Sequence, residues 1–235
     1  MQNNKIRTMA YMALYAALYI VLKYVGNLIP FLDMPNGGSI ELELIAVFIA
    51  SYHLGFVKGA LIGLLSWGLS IVMQFQMYFV SPVQIILDYA GPLALCGMAS
   101  LLWPFEKVSK PVAALLSIVI AAGAFGGIYN SFGHSVITII ASVVIAIATG
   151  AFTFWYVIEK KKFGIVIAMV LKYVCTVLSG VYFWFPESAT AGSAAAWTYS
   201  LGYNLWYNLV TMIVCIIIVP MLIERLKKSG VRFIA

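Results

Sequence analysis

The chain has 235 residues, of which 63% are hydrophobic and only 9% charged, and its mean hydropathy is +1.01. Soluble domains average about 45–50% apolar and about 25% charged residues, so one water-soluble core cannot bury this much apolar surface. We therefore predict an integral membrane protein. The net charge of +6 is explained below by basic residues at helix ends, and it does not indicate nucleic-acid binding.

Cysteine and histidine usage argues against metal and disulfide chemistry. Cys96, Cys175 and Cys215 stand singly in apolar runs without C-x-x-C spacing, which excludes a disulfide framework and a thiolate metal site. The only histidines, His53 and His134, fall in different predicted turns. The sequence also lacks the G-x-x-x-x-G-K-[ST] loop of an ATP-hydrolysing motor. We expect no metal, no cofactor and no catalytic site.

Pro, Gly, Asn and charged residues divide the chain into apolar stretches of the length that crosses a membrane, about 20 residues. In chain order these eight predicted spans are Thr8–Leu28, Ile40–Gly55, Gly59–Phe79, Val83–Trp103, Pro111–Ile128, Ser135–Ile158, Phe163–Phe185 and Thr198–Ile223. The second and the fifth are short, so their ends are the least certain. The longest polar connection, residues 186–197, leaves no room for a soluble domain.

The basic residues predict the orientation. With the N-terminus in the cytoplasm, the inner turns contain 12 of the 14 Lys and Arg residues: Lys5, Arg7, Lys58, Lys107, Lys110, Lys160, Lys161, Lys162, Arg225, Lys227, Lys228 and Arg232. The outer turns contain none, although Asp33 and Glu187 lie there. This asymmetry follows the positive-inside rule, so we expect both termini in the cytoplasm. Residues 1–28 lack a small-residue cleavage site and are assigned to the first helix rather than to a signal peptide.

Ionisable side chains inside membrane spans are costly and usually functional, although a structural ion pair is the competing explanation. Glu41, Glu43, Asp88 and Lys172 all fall in the outer half of their predicted spans. They therefore predict that a functional site lies at the outer end of the protein.

Two later spans add polar and aromatic faces at the same end. In the seventh span, residues at three- and four-residue steps share one helical face: Lys172, Thr176, Ser179, Gly180, Phe183 and Trp184. In the eighth, Tyr199, Tyr203 and Tyr207 share a face beside Asn204 and Asn208. An interfacial aromatic belt explains each aromatic residue alone, but not the buried charges beside them. Together these groups predict an outward-facing pocket for a small, flat, nitrogenous ligand, and its aromatic walls are compatible with a cation.

Small-x-x-x-small pairs occur at Ala13 and Ala17 and at Gly59 and Gly63. Such spacing permits close helix approach and usually serves internal packing. We expect Lys23, also within a span, to extend towards the membrane interface rather than to bind a ligand.

Several sequence blocks resemble one family, the substrate-binding S components of energy-coupling factor (ECF) vitamin transporters, specifically the thiamine-binding ThiT type. The blocks occur in the family's order: Met34–Ile40 (MPNGGSI), Pro82–Tyr89 (PVQIILDY), Leu171–Tyr173 (LKY) with Ser179–Gly180 and Phe183–Trp184, and Tyr199–Asn204 (YSLGYN). They cover all of the chain except roughly residues 108–160.

The resemblance implies a high-affinity thiamine-binding membrane subunit that works with a transmembrane coupling protein and two cytoplasmic ATPases. It assigns the pyrimidine ring to Asp88, Lys172 and Tyr199. It assigns the thiazolium to Trp184 and Asn204, with Tyr78 and Tyr89 nearby. An acidic residue early in the second span also belongs to the pattern, and we assign it to Glu41 rather than Glu43. Ala13 and Ala17 resemble the surface that docks on the coupling protein.

The chain departs from the family pattern in two places. Thr176 replaces a histidine that could stack on the ligand, which points to lower affinity or to a ligand related to thiamine. Residues 108–160 add two apolar spans to the usual six-helix architecture. Because the pair is even in number and carries no ionisable group within its spans, we expect a peripheral, lipid-facing hairpin of unknown role.

We thus predict a single all-α transmembrane domain over residues 1–235, with a core at 1–107 and 161–235, an inserted helical hairpin at about 108–160, and about eight transmembrane helices. The expected substrate-binding residues are Glu41, Tyr78, Asp88, Tyr89, Lys172, Thr176, Gly180, Trp184, Tyr199 and Asn204. The expected location is a prokaryotic plasma membrane, in contact with lipid, and the expected substrate is thiamine. Two alternatives remain open: an S component for a related heterocycle, and a self-contained carrier that couples to ions through Asp88 and Lys172.

Overall fold

The computed structural model of the protein describes residues 2–34, 37–102, 109–132, 135–160 and 163–233. In these residues the regular elements are helices, apart from one isolated β-bridge between Asp33 and Ser39. The α-helices in chain order are α1 (Gln2–Asn27), α2 (Leu44–Leu54), α3 (Phe56–Val72), α4 (Pro82–Ile85), α5 (Gly91–Gly97), α6 (Lys110–Phe132), α7 (Val136–Lys160), α8 (Phe163–Phe183) and α9 (Ala194–Lys228). A π-helical turn, Ile86–Ala90, joins α4 to α5, and 3-10 turns occupy Pro30–Leu32 and Ala99–Leu102.

The structure confirms the predicted all-helical membrane architecture. Each predicted span contains one helix or, for the fourth, the run from α4 to the second 3-10 turn. Six of these segments are long and apolar enough to cross a membrane: Lys5–Asn27, Pro82–Leu101, Lys110–Tyr129, Val136–Trp155, Phe163–Phe183 and Ala194–Lys228. The other two, α2 and α3, are shorter apolar helices.

Several predicted ends were wrong. The second span begins at Leu44 instead of Ile40, because residues 41–43 form a turn, and the third ends at Val72 instead of Phe79. The chain leaves α3 through Gln74, whose φ of 56° lies in the left-handed region, and then runs without regular structure to Ser81. The fifth span is longer than predicted, because its helix α6 runs from Lys110 to Phe132, 23 residues, and so continues beyond Ile128. Trp103, Lys107, Lys161, Lys162 and His134, and with them the predicted core boundary at 107, lie outside the described residues.

The π turn has a local cause in the sequence. Ser81 caps α4 by accepting a hydrogen bond from the Gln84 backbone N–H at 3.1 Å, and Pro82 follows at the first helical position. Further along, Pro92 has no N–H to donate to the carbonyl four residues earlier, which is that of Asp88. The Gly91 N–H instead bonds to the carbonyl of Ile86, five residues back. Such turns are frequent at functional sites, and this one contains Asp88 and Tyr89.

The short helix α2 lies in the centre of the molecule, where all eleven of its residues are buried. It packs against α1, α3, α5 and α9. His53, which the sequence suggested was in a turn, belongs to the last turn of α2 and bonds through Nδ1 to the Tyr15 hydroxyl at 2.8 Å. Because α2 is covered by protein on all sides, it can be shorter than a helix that crosses the lipid.

The glycine pair on α3 serves internal packing. A methyl group on Gly59 would lie 2.2 Å from the Gly97 carbonyl oxygen, and one on Gly63 would lie 2.4 Å from the carbonyl oxygen of Leu93. These glycines therefore allow α3 and α5 to touch through their backbones. Ala13 and Ala17 on α1 differ, because both are exposed on the surface of the described structure.

The two helices α6 and α7 pack mainly against each other, and α6 also packs on α9. A methyl group on Gly127 would collide with Leu205 of α9, so glycine permits this approach. Only 17% of the membrane-crossing window of α7 is buried inside the protein. The pair thus lies at the periphery of the described bundle, and its contact with lipid stays a prediction.

Candidate ligand-binding site

One cavity of about 820 Å³ opens at the end of the bundle where α1, α3 and α8 end and α2, α4 and α9 begin. Its volume falls within the range of about 300–1,000 Å³ that is typical of small-molecule sites. The structure brings all ten predicted substrate-binding residues to its walls: Glu41, Tyr78, Asp88, Tyr89, Lys172, Thr176, Gly180, Trp184, Tyr199 and Asn204.

Asp88 is held by two neutral donors. Its Oδ2 accepts hydrogen bonds from Gln84 Nε2 at 2.6 Å and from Trp184 Nε1 at 2.8 Å. None of the described residues forms an ion pair with Asp88 or donates a hydrogen bond to Oδ1. The carboxylate is therefore oriented across the gap between the π turn and α8, and one oxygen is left for a ligand.

Gln84 organises this wall, although sequence reasoning did not include it among the binding residues. It is fully buried, its Oε1 accepts from the Val80 backbone N–H at 3.1 Å, and its Nε2 donates to the Tyr78 carbonyl at 3.1 Å. The hydroxyl of Tyr89 accepts from the Tyr78 backbone N–H at 2.9 Å. These bonds fix the segment before α4 and place the Tyr78 ring edge-on to Trp184, with 6.0 Å between their centroids.

Lys172 is buried and paired. Its Nζ lies 3.0 Å from Glu41 Oε2, donates to Asn208 Oδ1 at 2.7 Å, and lies 5.4 Å from the centroid of the Tyr207 ring. The Asn208 amide in turn donates to the Thr176 hydroxyl at 3.2 Å. Lys172 therefore pairs with Glu41, and not with Asp88, which an ion-coupled carrier was expected to use beside it.

Glu43 belongs to a second ion pair, with Lys23, at 3.0 Å. The expectation that Lys23 extends towards the membrane interface was wrong. Its ammonium group turns inward because a buried carboxylate faces it, and it also lies 5.6 Å from the Phe75 ring centroid. Lys23 lines the cavity, whereas Glu43 does not.

The α9 wall depends on close contact with α8. A methyl group on Gly180 would lie 2.1 Å from Ser200 Oγ, so only glycine permits this separation. Asn204 bonds within α9, to the Ser200 carbonyl at 2.9 Å and to the Tyr207 hydroxyl at 2.6 Å. Tyr199 stacks on Tyr203, with 5.5 Å between centroids and 17° between planes. The wall is thus a preformed polar and aromatic surface.

A loop between α1 and α2 lines part of the cavity. The Asp33–Ser39 bridge and a 2.9 Å bond from the Met34 N–H to the Gly38 carbonyl fold it back on itself. The Tyr203 hydroxyl donates to the Gly37 carbonyl at 2.9 Å, which ties the loop to α9. Pro35 and Asn36, part of the block that suggested the family, lie outside the described residues.

The described basic side chains outside the cavity lie near the opposite end of the bundle. Lys5 and Arg7 occupy the start of α1, Lys58 the start of α3, and Lys110 the start of α6. The last turn of α9 and the residues after it contain Arg225, Lys227, Lys228 and Arg232. The cavity and the basic end are therefore separated along the bundle.

Comparison with known proteins identifies the family. A model of the thiamine transporter protein family (Thia_YuaJ) matches residues 9–230. The chain belongs to this family. It is also 28% identical over 136 residues to the thiamine transporter ThiT of Bacillus subtilis, a match that covers 57% of this chain and 69% of the relative.

A solved structure supports the same fold. The structure of ThiT from Listeria monocytogenes superimposes with a TM-score of 0.59 at 20% sequence identity, over 96% of this chain and 97% of that one. This member of the thiamine transporter family is accordingly a multi-pass protein of the cell membrane with a transport role and no enzymatic one. The family resemblance read from the sequence blocks is confirmed.

Proposed function

We propose that the protein binds thiamine in the cavity and serves as the substrate-binding S component of an ATP-driven ECF importer. The observation that carries this proposal is the convergence of the ten predicted binding residues on one cavity, in a chain of the thiamine transporter family. The name of the Bacillus subtilis relative, a thiamine transporter, supports the choice of ligand.

The chemistry of the walls suits thiamine, which joins an aminopyrimidine to a thiazolium cation. The amino group of the pyrimidine donates to Asp88, while Lys172 and Tyr199 supply donors for its ring nitrogens. The thiazolium lies against the face of Trp184, beside Tyr78, because aromatic faces attract cations. Asn204 and Tyr89 border the same ring, and Glu41 holds Lys172 in place.

Orientation follows from the charge distribution. The positive-inside rule assigns the basic end of the bundle to the cytoplasm. The cavity then opens to the outside, and both termini are cytoplasmic. Thiamine enters from outside and leaves on the inner side after the protein reorients on its partners, without covalent chemistry.

Energy for release comes from the partners in this proposal. A transmembrane coupling protein contacts α1 at Ala13 and Ala17, where two small exposed side chains allow close helix approach. Two cytoplasmic ATPases act through that coupling protein.

Calorimetry of the purified protein with thiamine tests the ligand. We expect binding with quenching of tryptophan fluorescence, since Trp184 lines the cavity. Asp88→Asn should weaken binding by about 10- to 100-fold, because hydrogen bonds to a charged group contribute about 1.5–3 kcal/mol. Glu187→Gln, at an exposed position outside the cavity, is the matched control and should bind like the unmodified protein. Absence of any heat or quenching with micromolar thiamine would overturn the assignment.

Thr176 favours a second candidate, an S component for a related heterocycle such as a thiamine precursor. Its hydroxyl is occupied by Asn208 and by the Tyr173 carbonyl, and it offers no ring to stack on a thiazolium. Thermal-shift assays with thiamine and with its separate pyrimidine and thiazole halves distinguish the two ligands. Uptake that continues without ATPase partners but stops when the proton gradient is removed would instead indicate an ion-coupled carrier.

A further inference from the structure

The cavity contains two lysines, and a described carboxylate neutralises each of them. Lys172 pairs with Glu41, and Lys23 pairs with Glu43, both at 3.0 Å. Each pair has one enclosed member, since the Lys172 side chain is 3% exposed and that of Glu43 5% exposed. Neither ammonium group therefore adds a net positive charge to the cavity.

Two further carboxylates line the same cavity without a basic partner among the described residues. Asp88 accepts hydrogen bonds only from neutral donors, and Asp33 forms no ion pair with any described side chain. With each lysine cancelled by its paired carboxylate, these two aspartates leave the cavity with a net negative formal charge.

Asp33 is held at the cavity by the backbone of the loop between α1 and α2. Its N–H donates to the Pro30 carbonyl at 3.3 Å, and its bridge to Ser39 closes the turn. The Ile40 N–H bonds to the Leu32 carbonyl at 2.8 Å, which closes the neck of the loop. The side chain itself is exposed at the cavity wall. An exposed carboxylate in this place attracts an incoming cation.

We propose that Asp33 is a specificity-determining residue that, together with Asp88 in the same cavity, selects a positively charged ligand over a neutral one of the same shape. Asp88 contacts the ligand within the cavity, and Asp33 acts on its charge from the loop between α1 and α2. This inference rests on the proposed function only for the choice of probe, thiamine. Its substance is that the recognised ligand carries a positive charge.

Asp33 and Glu187 form a matched pair for the test, because both are exposed acidic residues of the segments at the cavity end and only Asp33 lines the cavity. Calorimetry is performed with thiamine and with an isostere in which a neutral thiophene ring replaces the thiazolium. Asp33→Asn should weaken thiamine binding by about three- to tenfold, in the range of exposed to half-buried charge pairs. It should change the affinity for the neutral isostere by less than about twofold. Glu187→Gln should change the affinity for neither ligand.

Two further measurements separate a charge effect from a structural one. Asp33→Glu keeps the charge and should retain the preference for thiamine over the isostere, even where loop distortion lowers both affinities. Association of thiamine with the unmodified protein should slow as ionic strength rises, and Asp33→Asn should flatten that dependence.

The outcomes distinguish the two proposals. If the unmodified protein binds thiamine, and Asp33→Asn weakens the binding of both ligands equally or of neither, the role of Asp33 is overturned. The proposed function then still stands. Unmodified protein that binds the neutral isostere as tightly as thiamine overturns selection by charge. Unmodified protein that binds neither ligand overturns the proposed function and the selection of this cation together.

Discussion

Two ion pairs flank the cavity, with equal N–O distances of 3.0 Å but different surroundings. In the Lys23–Glu43 pair the carboxylate is enclosed, with 5% of its side chain exposed. In the Lys172–Glu41 pair the carboxylate is 25% exposed, and the lysine has a second acceptor in Asn208. The first pair therefore joins α1 to the start of α2, whereas the second presents a partly open carboxylate to a ligand in the cavity.

Removing the enclosed carboxylate should give the largest effect. Glu43→Gln leaves Lys23, whose side chain is 20% exposed, without its counter-charge, and breaking such a largely enclosed pair costs about 3–5 kcal/mol of stability. Thermal unfolding in detergent measures the loss. The double variant Lys23→Met/Glu43→Met should recover most of it, since well-packed apolar residues can replace a buried pair. A double variant as unstable as Glu43→Gln would contradict this explanation.

Removing the open carboxylate should act on binding more than on folding. Glu41→Gln leaves Lys172 with the Asn208 oxygen as a second acceptor, and the Glu41 carboxylate that is lost is itself 25% exposed, so we expect a smaller loss of stability than for Glu43→Gln. Thiamine affinity should fall by about tenfold, because Lys172 is no longer held in place, and calorimetry measures the change. If Glu41→Gln and Glu43→Gln have the same effects on melting temperature and affinity, the distinction between the pairs fails.

The wall that carries Lys172 should be sensitive to a single methyl group. Gly180→Ala places a carbon 2.1 Å from Ser200 Oγ and forces α8 from α9, which should cost about 1–3 kcal/mol, as overpacking does. Gly26→Ala on α1, where a methyl group meets nothing within 4 Å, is the control and should be neutral or slightly stabilising. Equal melting temperatures for the two variants would show that the helices tolerate separation.

The smallest expected effect concerns Thr176, beside Lys172 on the same wall. Thr176→His adds a ring that can stack on a thiazolium, for a gain of about 0.5–1.5 kcal/mol in thiamine binding. The gain should be absent for the isolated pyrimidine half. Titration of both ligands checks this, and tighter binding of the pyrimidine half alone would favour the related-heterocycle alternative.

The fold was largely predictable, because apolar runs and charge breaks determine where membrane helices form. The ends of α2 and α3 were not, since residues 41–43 and 73–80 contain no proline or glycine that would stop a helix and are shaped by tertiary contacts. One such contact is the bond from the Glu41 N–H to the Thr211 hydroxyl at 3.0 Å. The sequence around Glu41 does not indicate that Thr211, on another helix, is its hydrogen-bond partner.

The ten candidate binding residues came from helical spacing and from family resemblance, and the structure brings them to one cavity. Their role in binding stays a prediction. Sequence reasoning missed Gln84, although its position one turn before Asp88 was a usable signal. It also misjudged Lys23, because a pattern on one helix cannot reveal the buried Glu43 that approaches from another.

The shortness of α2 bears on how far a substrate must travel. Eleven residues make a helix about 16 Å long, roughly half the 30 Å hydrocarbon thickness of a bilayer. Glu41, at the cavity, precedes its first turn, and Lys58, at the basic end, follows its last. In the orientation proposed above, a solute beside Glu41 would be separated from the cytoplasmic end by packed protein about as long as α2, roughly half the thickness of the bilayer.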